Sequence, residues 1–325
     1  MGSTRHGADA EAVAPATSGA ESSAARLPAW LKVKLPGDGA YYDVRKRMRD
    51  QKLHTVCEEA RCPNVAECWG VGTATFMILG KVCTRACRFC EVTSGKPPAL
   101  PDPDEPQRLA RAVAAMKLRY AVITSVDRDD LADGGAAHFV ATVEAIKALS
   151  GETTVEILTP DFAGNQAAID RVAVSGAEVL AQNLETVERL TRELRDVRSG
   201  YQTTLDVLAR YRHSAPHAVT KSSLLLGVGE RTAEVEQALR DLRSVDVDWV
   251  TLGQYLRPTR KHAPVHSYLA PEQFAAYAEL AKSLGFALVS SGPLVRSSYR
   301  AAEHQAQHLV AERRAALSLR DRGAS

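Results

Sequence analysis

Short apolar runs alternate with longer amphipathic segments from about residue 75 to residue 256. The apolar runs are rich in β-branched residues and predict six strands, at 75–79, 120–126, 154–160, 178–185, 219–227 and 249–256. The segments between them, such as PQRLARAVAAMKL and TAEVEQALRDLRS, repeat apolar residues at helical spacing. Strands that alternate with helices are typical of parallel βα units. The pattern therefore predicts an α/β fold, a partial (βα)6 TIM-like barrel, rather than two separate domains.

Polar residues lie in or directly after every predicted strand. They include, in chain order, Cys83, Asp127, Asp161, Asn183, Glu185, Lys221 and Gln254. A single residue of this kind is often a helix cap or a turn former. The carboxyl ends of barrel strands, however, meet on one face, where functional residues gather. The convergence of six such ends therefore predicts a site on that face.

The regions outside the barrel differ in composition. Residues 1–26 are rich in Ala, Ser and Gly, lack the apolar core of a secretory signal, and predict a disordered tail. Residues 27–72 form an N-terminal extension, 73–300 the barrel with its last segment, and 301–325 a charged C-terminal helix or tail. The extension contains a predicted basic helix with Arg45, Lys46, Arg47, Arg49 and Lys52. These side chains form either a solvated face or a docking surface for an acidic partner.

Composition narrows the function further. The chain has 325 residues, of which 45% are hydrophobic and 25% charged, and a formal net charge of +2. The near balance of charge argues against a nucleic-acid partner, and no apolar run approaches the roughly 20 residues that span a membrane. Without an export signal we expect a cytoplasmic protein, whose cysteines meet a reducing environment that favours metal binding over disulfides.

All six cysteines lie in two triplets. Cys57, Cys62 and Cys68 have the spacing C-x4-C-x5-C, and Cys83, Cys87 and Cys90 follow the first predicted strand with the spacing C-x3-C-x2-C. Three thiolates on one loop can hold three irons of a [4Fe–4S] cluster and leave the fourth iron open to a cofactor. The alternative is a zinc site completed by a histidine, or a set of free thiols.

Other residues near the triplets bear on this chemistry. Arg85 and Arg88 lie between the cysteines of the second triplet, where we expect them to offset thiolate charge, and Phe89 would shield a cluster from water. The first triplet has no further cysteine to act as a fourth ligand. A cluster there must recruit another residue type.

Longer motifs carry a family resemblance. The C-x3-C-x2-C loop after the first predicted strand resembles that of the radical S-adenosylmethionine superfamily. The segments HTVCEEARCPNVAECW, DRDDLADGGAAHF, EILTPDF, NLETV, LGQYLRP and GPLVRSSY are similar to those of the lipoyl synthase family within it. The similarity covers about residues 38–300, nearly everything but the tails.

The resemblance implies two [4Fe–4S] clusters with different roles. It implies that Cys83, Cys87 and Cys90 hold the cluster that binds S-adenosylmethionine and cleaves it to a 5′-deoxyadenosyl radical. Cys57, Cys62 and Cys68 would hold an auxiliary cluster, which is consumed as the sulfur donor and takes a serine of RSSY as its fourth ligand. We assign that serine to Ser298, with Ser297 as the alternative, so that the C-terminal segment closes the site.

The resemblance also implies a substrate and partners. The substrate would be an octanoyl group on a lysine of a lipoyl domain or of an H-type carrier protein of glycine cleavage, with sulfur inserted at carbons six and eight. A ferredoxin or flavodoxin would supply electrons, and an iron–sulfur carrier would rebuild the auxiliary cluster. Because lipoyl domains are acidic, the basic helix becomes a stronger candidate for docking.

Candidate contacts to S-adenosylmethionine follow from position at the strand ends and near the cluster. They are Phe89, Thr124, Asn183, Glu185, Arg198 and Gln254, with Glu185 suited to the ribose hydroxyls. The chain departs from the family pattern at Gln182, where His is common, at Ser223, where Gly is usual, and at Arg300, where His is frequent. These departures affect individual contacts and leave every cluster ligand in place.

Two rival functions remain. A radical methylthiotransferase also uses two clusters, although the order of the triplets and RSSY argue against it. A zinc-binding interaction module without catalysis would be colourless, whereas a protein with two [4Fe–4S] clusters would be brown, with on the order of eight irons per chain.

Overall fold

The computed structural model describes residues 27–32, 39–59, 62, 64–70, 75–298 and 303–323. The chain divides into two compact units, residues 1–32 and 33–325. In the first unit, Ala29–Leu31 form a 3-10 turn. All other described elements belong to the second unit. No helix among the described residues is long and apolar enough to cross a membrane.

The second unit is built on one eight-stranded sheet whose strands follow chain order. The strands are β1 (His54–Thr55), β2 (Thr75–Ile78), β3 (Tyr120–Ser125), β4 (Thr154–Leu158), β5 (Val179–Ala181), β6 (Val219–Leu226), β7 (Trp249–Gln254) and β8 (Leu288–Gly292). β1 is antiparallel to β2, and every later pair is parallel. Within the described residues β8 pairs with β7 alone, so the sheet is an open, partial barrel.

Eleven α-helices are described in this unit. They are α1 (Gly39–Asp50), α2 (Val56–Glu59), α3 (Val65–Gly70), α4 (Glu105–Ala115), α5 (Ala136–Leu149), α6 (Gln166–Ala173), α7 (Glu188–Leu194), α8 (Tyr201–Ser214), α9 (Thr232–Ser244), α10 (Pro271–Ser283) and α11 (Glu303–Gly323). Local sequence sets their starts: Asn165 accepts a hydrogen bond from the Ala168 amide at the start of α6, and Pro271 opens α10.

The predicted α/β partial barrel is confirmed, and the six predicted strands correspond to β2–β7. β5 ends at Ala181, earlier than predicted, and beyond it Glu185 has a left-handed backbone with φ of 68°. β8 was not predicted as a strand. Its run is interrupted by Ser290 and Ser291, and all but one of its residues are only half-buried, so the periodicity is weak.

The C-terminal helix α11 lies across the amino ends of the strands. Its Ala306 and Val310 pack in one apolar cluster with Tyr120, Val179, Val219 and Trp249. Arg313 donates to the Ala218 carbonyl at 2.7 Å, and Gln307 donates to the Arg119 carbonyl at 3.0 Å. Because these carbonyls directly precede strands, α11 closes the end of the barrel opposite the predicted site.

Candidate active site

Two adjoining cavities open at the carboxyl ends of the strands. The smaller, of about 250 Å³, is lined by Cys83, Cys87 and Cys90. The larger, of about 390 Å³, is lined by Cys57, Cys62 and Cys68. The walls have in common Val56, Phe89, Cys90, Asn183, Glu185, Ser297 and Ser298. The fold therefore brings the two triplets to neighbouring chambers that share a wall.

The loop that follows β2 positions the cysteines of the smaller cavity. The Cys83 amide donates to the Thr93 carbonyl at 2.8 Å, and the Gly95 amide donates to the Cys83 carbonyl at 2.8 Å, which ties the two ends of the loop together. Backbone amides also point at the sulfurs: that of Asp127 lies 3.3 Å from Cys83 Sγ, and that of Asp196 lies 3.3 Å from Cys87 Sγ. Such amides stabilise a thiolate and tune the potential of a cluster that it binds.

Arg85, inside this loop, binds carboxylates instead of thiolates. Its side chain is 2% exposed and forms ion pairs with Asp127 at 3.3 Å, Asp129 at 2.8 Å and Asp161 at 2.6 Å. Its charge is therefore balanced by these three residues, which corrects the expectation that Arg85 offsets thiolate charge. The pKa of Arg85 is raised by the same carboxylates. Arg88 lies at the surface, 54% exposed.

The cysteines of the larger cavity come from α2, α3 and the turn between them. Cys57 is buried on α2, and the Cys62 amide donates to its carbonyl at 3.1 Å. The Cys68 amide on α3 donates to the Asn64 carbonyl at 2.9 Å. The fully buried Trp69 anchors α3 through its ring, which lies 5.1 Å from that of Tyr41 on α1.

The segment that follows β8 completes the wall between the cavities. The Asn64 side-chain amide donates to the Leu294 carbonyl at 2.7 Å, which links the segment to the first triplet. The segment also crosses β7 closely, since a Cβ atom on Gly253 would lie 2.1 Å from the Val295 carbonyl oxygen. This path places Ser297 and Ser298 on the walls of both cavities. Tyr299 and Arg300 lie outside the described residues.

Four of the six candidate cofactor contacts line the smaller cavity: Phe89, Thr124, Asn183 and Glu185. Asn183 donates to Glu185 at 3.0 Å, and Thr124 donates to the Leu158 carbonyl at 2.9 Å. Burial raises the pKa of the Glu185 carboxyl above its usual value, an effect that Arg195 and Asn183 oppose. The bond from Asn183 therefore orients the Glu185 carboxylate in the cavity wall.

The other two candidates occupy different places. Gln254 lines the larger cavity and is fully buried; its Oε1 accepts from the Leu269 amide at 2.8 Å, and its Nε2 lies 2.9 Å from the Ser267 carbonyl oxygen. Arg198 donates to the Thr84 carbonyl at 2.6 Å and pairs with Asp196 at 2.8 Å. The walls of the two cavities, as formed by the described residues, do not include Arg198.

The smaller cavity also contains residues that the sequence did not single out as contacts. Ser125 Oγ and Gln182 Oε1 are buried in its wall and have no hydrogen-bond partner among the described residues. Buried polar atoms without a partner are costly, and a polar ligand in the cavity would satisfy them. The wall therefore fits a polar cofactor such as S-adenosylmethionine. Gln182 was noted only as a departure from the family pattern.

Burial favours the protonated form of several of these thiols, so they must lose a proton to bind iron. Burial raises the pKa of Cys57 to about 11, and those of Cys83 and Cys90 to about 12, so these thiols are protonated at neutral pH until iron displaces the proton. Among the described residues no three His, Cys, Asp or Glu side chains are arranged around one metal ion. Cysteines around an iron–sulfur cluster bind separate irons across a wider site, which is what a cavity between three thiols allows.

Comparisons with known proteins agree with this geometry. Residues 77–242 match the model of the radical SAM superfamily, and residues 6–62 match the N-terminal domain of lipoyl synthase of the radical SAM family. Lipoyl synthase from Anaeromyxobacter dehalogenans (strain 2CP-C) is 56% identical over 86% of this chain and 95% of its own. Lipoyl synthase from Deinococcus radiodurans is 54% identical over 85% of this chain and 83% of its own.

A solved structure supports the fold. The crystal structure of methylornithine synthase (PylB) has a TM-score of 0.50 and 16% identity, and the match covers 80% of this chain and 84% of that one. At this identity the likeness concerns the architecture of the partial barrel only.

Proposed function

This chain belongs to the lipoyl synthase family of radical S-adenosylmethionine enzymes, and from that premise we propose which of its residues carry the reaction. The enzyme inserts sulfur into a protein-bound octanoyl chain to give a lipoyl group, and it uses S-adenosylmethionine and [4Fe–4S] clusters. Family membership sets aside both the methylthiotransferase and the zinc-module alternatives. The residue roles rest on the two cavities.

The smaller cavity is the proposed site of S-adenosylmethionine and its cluster. Cys83, Cys87 and Cys90 would hold three irons and leave the fourth open to the cofactor. Glu185 and Asn183 would bind the cofactor's polar groups, since they are paired and face the cavity. Ser125 Oγ and Gln182 Oε1, which have no partner among the described residues, add two further hydrogen-bonding groups.

Three of the candidate cofactor contacts have a shielding or structural role in this proposal. Phe89 lies in the wall that both cavities share and keeps water from the cysteines. Gln254 holds the loop that follows β7 through its contacts to Leu269 and Ser267. Arg198 holds the loop that follows β2, which contains Cys83, Cys87 and Cys90, by donating to the Thr84 carbonyl.

The larger cavity is the proposed auxiliary site. Cys57, Cys62 and Cys68 would hold the second cluster, and Ser298, on the segment that follows β8, would be its fourth ligand. A serine oxygen is a harder ligand than a thiolate and matches this iron less well. A weakly matched ligand suits a cluster that gives up sulfur.

The shared wall explains how one substrate can meet both sites. When bound, the cofactor and clusters supply the electron, the hydrogen-abstracting radical and the sulfur. The chain supplies the rest: Val56 and Phe89 provide apolar surface between the triplets, and Cys90 lines both cavities. An octanoyl chain at this wall would lie within reach of both chambers without leaving the enzyme. This adjacency is the observation that carries the proposal.

Partners beyond the lipoyl carrier follow from the same chemistry. We assign the carrier to an octanoylated lipoyl domain or an H-type protein of glycine cleavage, the electron donor to a ferredoxin or flavodoxin, and cluster rebuilding to an iron–sulfur carrier. The helix α1 is the proposed docking surface for the acidic carrier, because Lys46, Arg47 and Arg49 are exposed on it while Met48 faces the core. A reducing cytoplasm suits six cysteines that form no disulfide bond.

Mass spectrometry of an octanoyl-lysyl peptide, incubated anaerobically with S-adenosylmethionine and a strong reductant, tests the roles. The intact enzyme should add two sulfurs. Cys87→Ala should abolish 5′-deoxyadenosine, whereas Cys62→Ala should still release it and add no sulfur. Ser298→Ala should behave like Cys62→Ala, and the matched Ser297→Ala should retain sulfur insertion. Full lipoyl product from Cys62→Ala would refute the donor role.

Docking is tested by charge reversal. Changing Lys46, Arg47 and Arg49 to Glu should reduce turnover of an octanoylated domain and spare that of a short octanoyl peptide, which does not need the surface. Arg171→Glu and Lys282→Glu, on other exposed helical faces, serve as controls. Equal losses on domain and peptide would remove the docking assignment.

A further inference from the structure

The guanidinium of Arg296 lies in the wall of the larger cavity, with the three cysteines of the first triplet. Its Nη1 donates to the Val295 carbonyl at 2.7 Å and to the Gln254 carbonyl at 3.3 Å. It also interacts electrostatically with Cys62. Within the described part of the chain it forms no ion pair with a carboxylate. A half-buried cation without a carboxylate partner is still costly, so its position requires an explanation.

Arg85 in the other cavity shows the contrasting arrangement. Its positive charge is taken up by three carboxylates, at 2.6 to 3.3 Å. The smaller cavity thus contains an arginine that is paired with carboxylates, whereas Arg296 in the larger cavity has only backbone carbonyls and the Cys62 thiol as described partners.

The wall of the larger cavity also contains the carboxylates of Glu91 and Glu185, but Glu91 lies 3.2 Å from His262 Nε2 and Glu185 accepts from Asn183 at 3.0 Å. Neither forms an ion pair with Arg296 among the described residues. The anionic groups left for Arg296 to balance are therefore the thiolates of the first triplet and a ligating serine.

We infer that Arg296 is the counter-ion of the auxiliary site and that it also positions the serine ligand of that site. The inference rests on the proposed assignment of the auxiliary cluster to this cavity. Removing three thiols' protons leaves negative charge in the cavity, and a fixed cation in the same wall stabilises that charge. Because Arg296 immediately precedes Ser297 and Ser298, its bonds to two backbone carbonyls also fix the segment that carries the ligand.

The two roles predict different effects of two substitutions. Arg296→Lys keeps the positive charge and loses the planar fork, whereas Arg296→Gln keeps a hydrogen-bond donor and loses the charge. A nearby positive charge favours the reduced state of a cluster. If Arg296 acts as counter-ion, Arg296→Gln should therefore lower the reduction potential, and Arg296→Lys should leave it close to the parent value.

The measurement uses full-length protein that can load the auxiliary cluster alone. The parent is Cys83→Ala, Cys87→Ala, Cys90→Ala, which should bind about four irons per chain. A reductive titration followed by electron paramagnetic resonance then gives the one-electron potential. We expect Arg296→Gln to shift the reduction equilibrium at least about tenfold, which is about 59 mV, toward lower potential. Arg88→Gln, at an exposed arginine near the other triplet, is the matched control and should not shift it.

Each result of this measurement supports or overturns the proposed role of Arg296. An unchanged potential in Arg296→Gln overturns it, and so does an equal shift in Arg296→Lys and Arg296→Gln, because geometry rather than charge would then be responsible. If Arg296→Gln loses its iron, retention of iron at the parent potential by Arg296→Lys supports the counter-ion, and loss in both variants overturns it. A parent that binds no iron would instead refute the auxiliary-site assignment itself.

Discussion

Replacing Arg85 should destabilise the folded protein more than most single substitutions outside the cluster ligands. Its Nη1 and Nη2 donate to the two oxygens of Asp161 at 2.7 and 2.6 Å, and its Nη2 and Nε donate to Asp129 at 2.8 and 3.1 Å. It donates further to Ser199 Oγ at 3.1 Å. The side chain thus joins the cluster loop to the loops that follow β3 and β4 and to the α7–α8 connection.

The size of the effect follows from this burial. Breaking a buried ion pair by removing one partner costs about 3–5 kcal/mol, because the other partner is left charged and unpaired. Arg85→Ala should therefore lower the free energy of unfolding by about 3–5 kcal/mol. For a chain of this length that corresponds to about 6–10 °C in melting temperature, at about 2 °C per kcal/mol. Arg85→Lys should lose about 1.5–3 kcal/mol, since an ammonium cannot reproduce two bidentate pairs.

The assay is anaerobic urea denaturation followed by far-ultraviolet circular dichroism, with iron content measured on the same samples. The exposed pair of Arg189 with Glu234 is the matched control, because it is also bidentate, at 2.7 and 2.9 Å. Solvent screens that pair, so Arg189→Ala should leave the midpoint within error. If Arg189→Ala were as destabilising as Arg85→Ala, burial would not be the source of the energy and the reasoning would fail.

Two further changes test other parts of the structure. Gly253→Ala should displace the segment that contains Ser298, because the new Cβ would lie 2.1 Å from the Val295 carbonyl oxygen. We expect this variant to lose the iron of the auxiliary cluster and still to form 5′-deoxyadenosine. Gly151→Ala is the control and should change neither, since its nearest neighbouring atom is 3.5 Å away. Arg210 lowers the pKa of Asp170 to about 2, so the stability that this carboxylate contributes is present above about pH 4 and is lost as the pH falls toward 2. Asp170→Asn should therefore be less stable than the wild type in urea at pH 6, and this difference should shrink between pH 4 and pH 2. A difference that is constant with pH would contradict the ion pair.

The sequence predicted most of the barrel because its strands are fully buried. All four residues of β2 and all six of β7 are buried, and apolar or β-branched residues fill β2 (TFMI) and the first four positions of β7 (WVTL), which makes both runs easy to recognise. β8 was not predicted because four of its five residues are only half-buried and two serines, the buried Ser290 and the half-buried Ser291, interrupt its apolar run. The position of α11 also could not be predicted, since the residues that it contacts are far away in the chain; Arg313, for example, binds the carbonyl of Ala218.

For the site, the sequence predicted the ligand types better than their surroundings. The cysteine spacings and RSSY identify the candidate ligands, and the structure brings both triplets and Ser298 to adjoining cavities. The residue roles themselves stay predictions. The pairing of Arg85 with Asp161 could not be read from the sequence, because a buried arginine and one that faces a cluster look alike in a motif. The hydrogen bonds of Gln254 to backbone atoms could not be predicted either, because they form only when the loop that follows β7 folds against this side chain.

The two triplets are supported by different parts of the fold, and this difference suits their different chemistry. The loop with Cys83 is held by Arg85 to carboxylates that follow β3 and β4, so the cofactor site is bound tightly to the barrel. The first triplet instead lies on α2, α3 and their connection, and its link to the C-terminal segment is the bond from Asn64 to Leu294. None of the first triplet's cysteines, nor Ser298, lies in a described strand, so a movement of the segments that contain them need not break a strand pair. A site whose cluster is consumed must be emptied and refilled, and a support built from peripheral segments allows this while the cofactor site stays assembled.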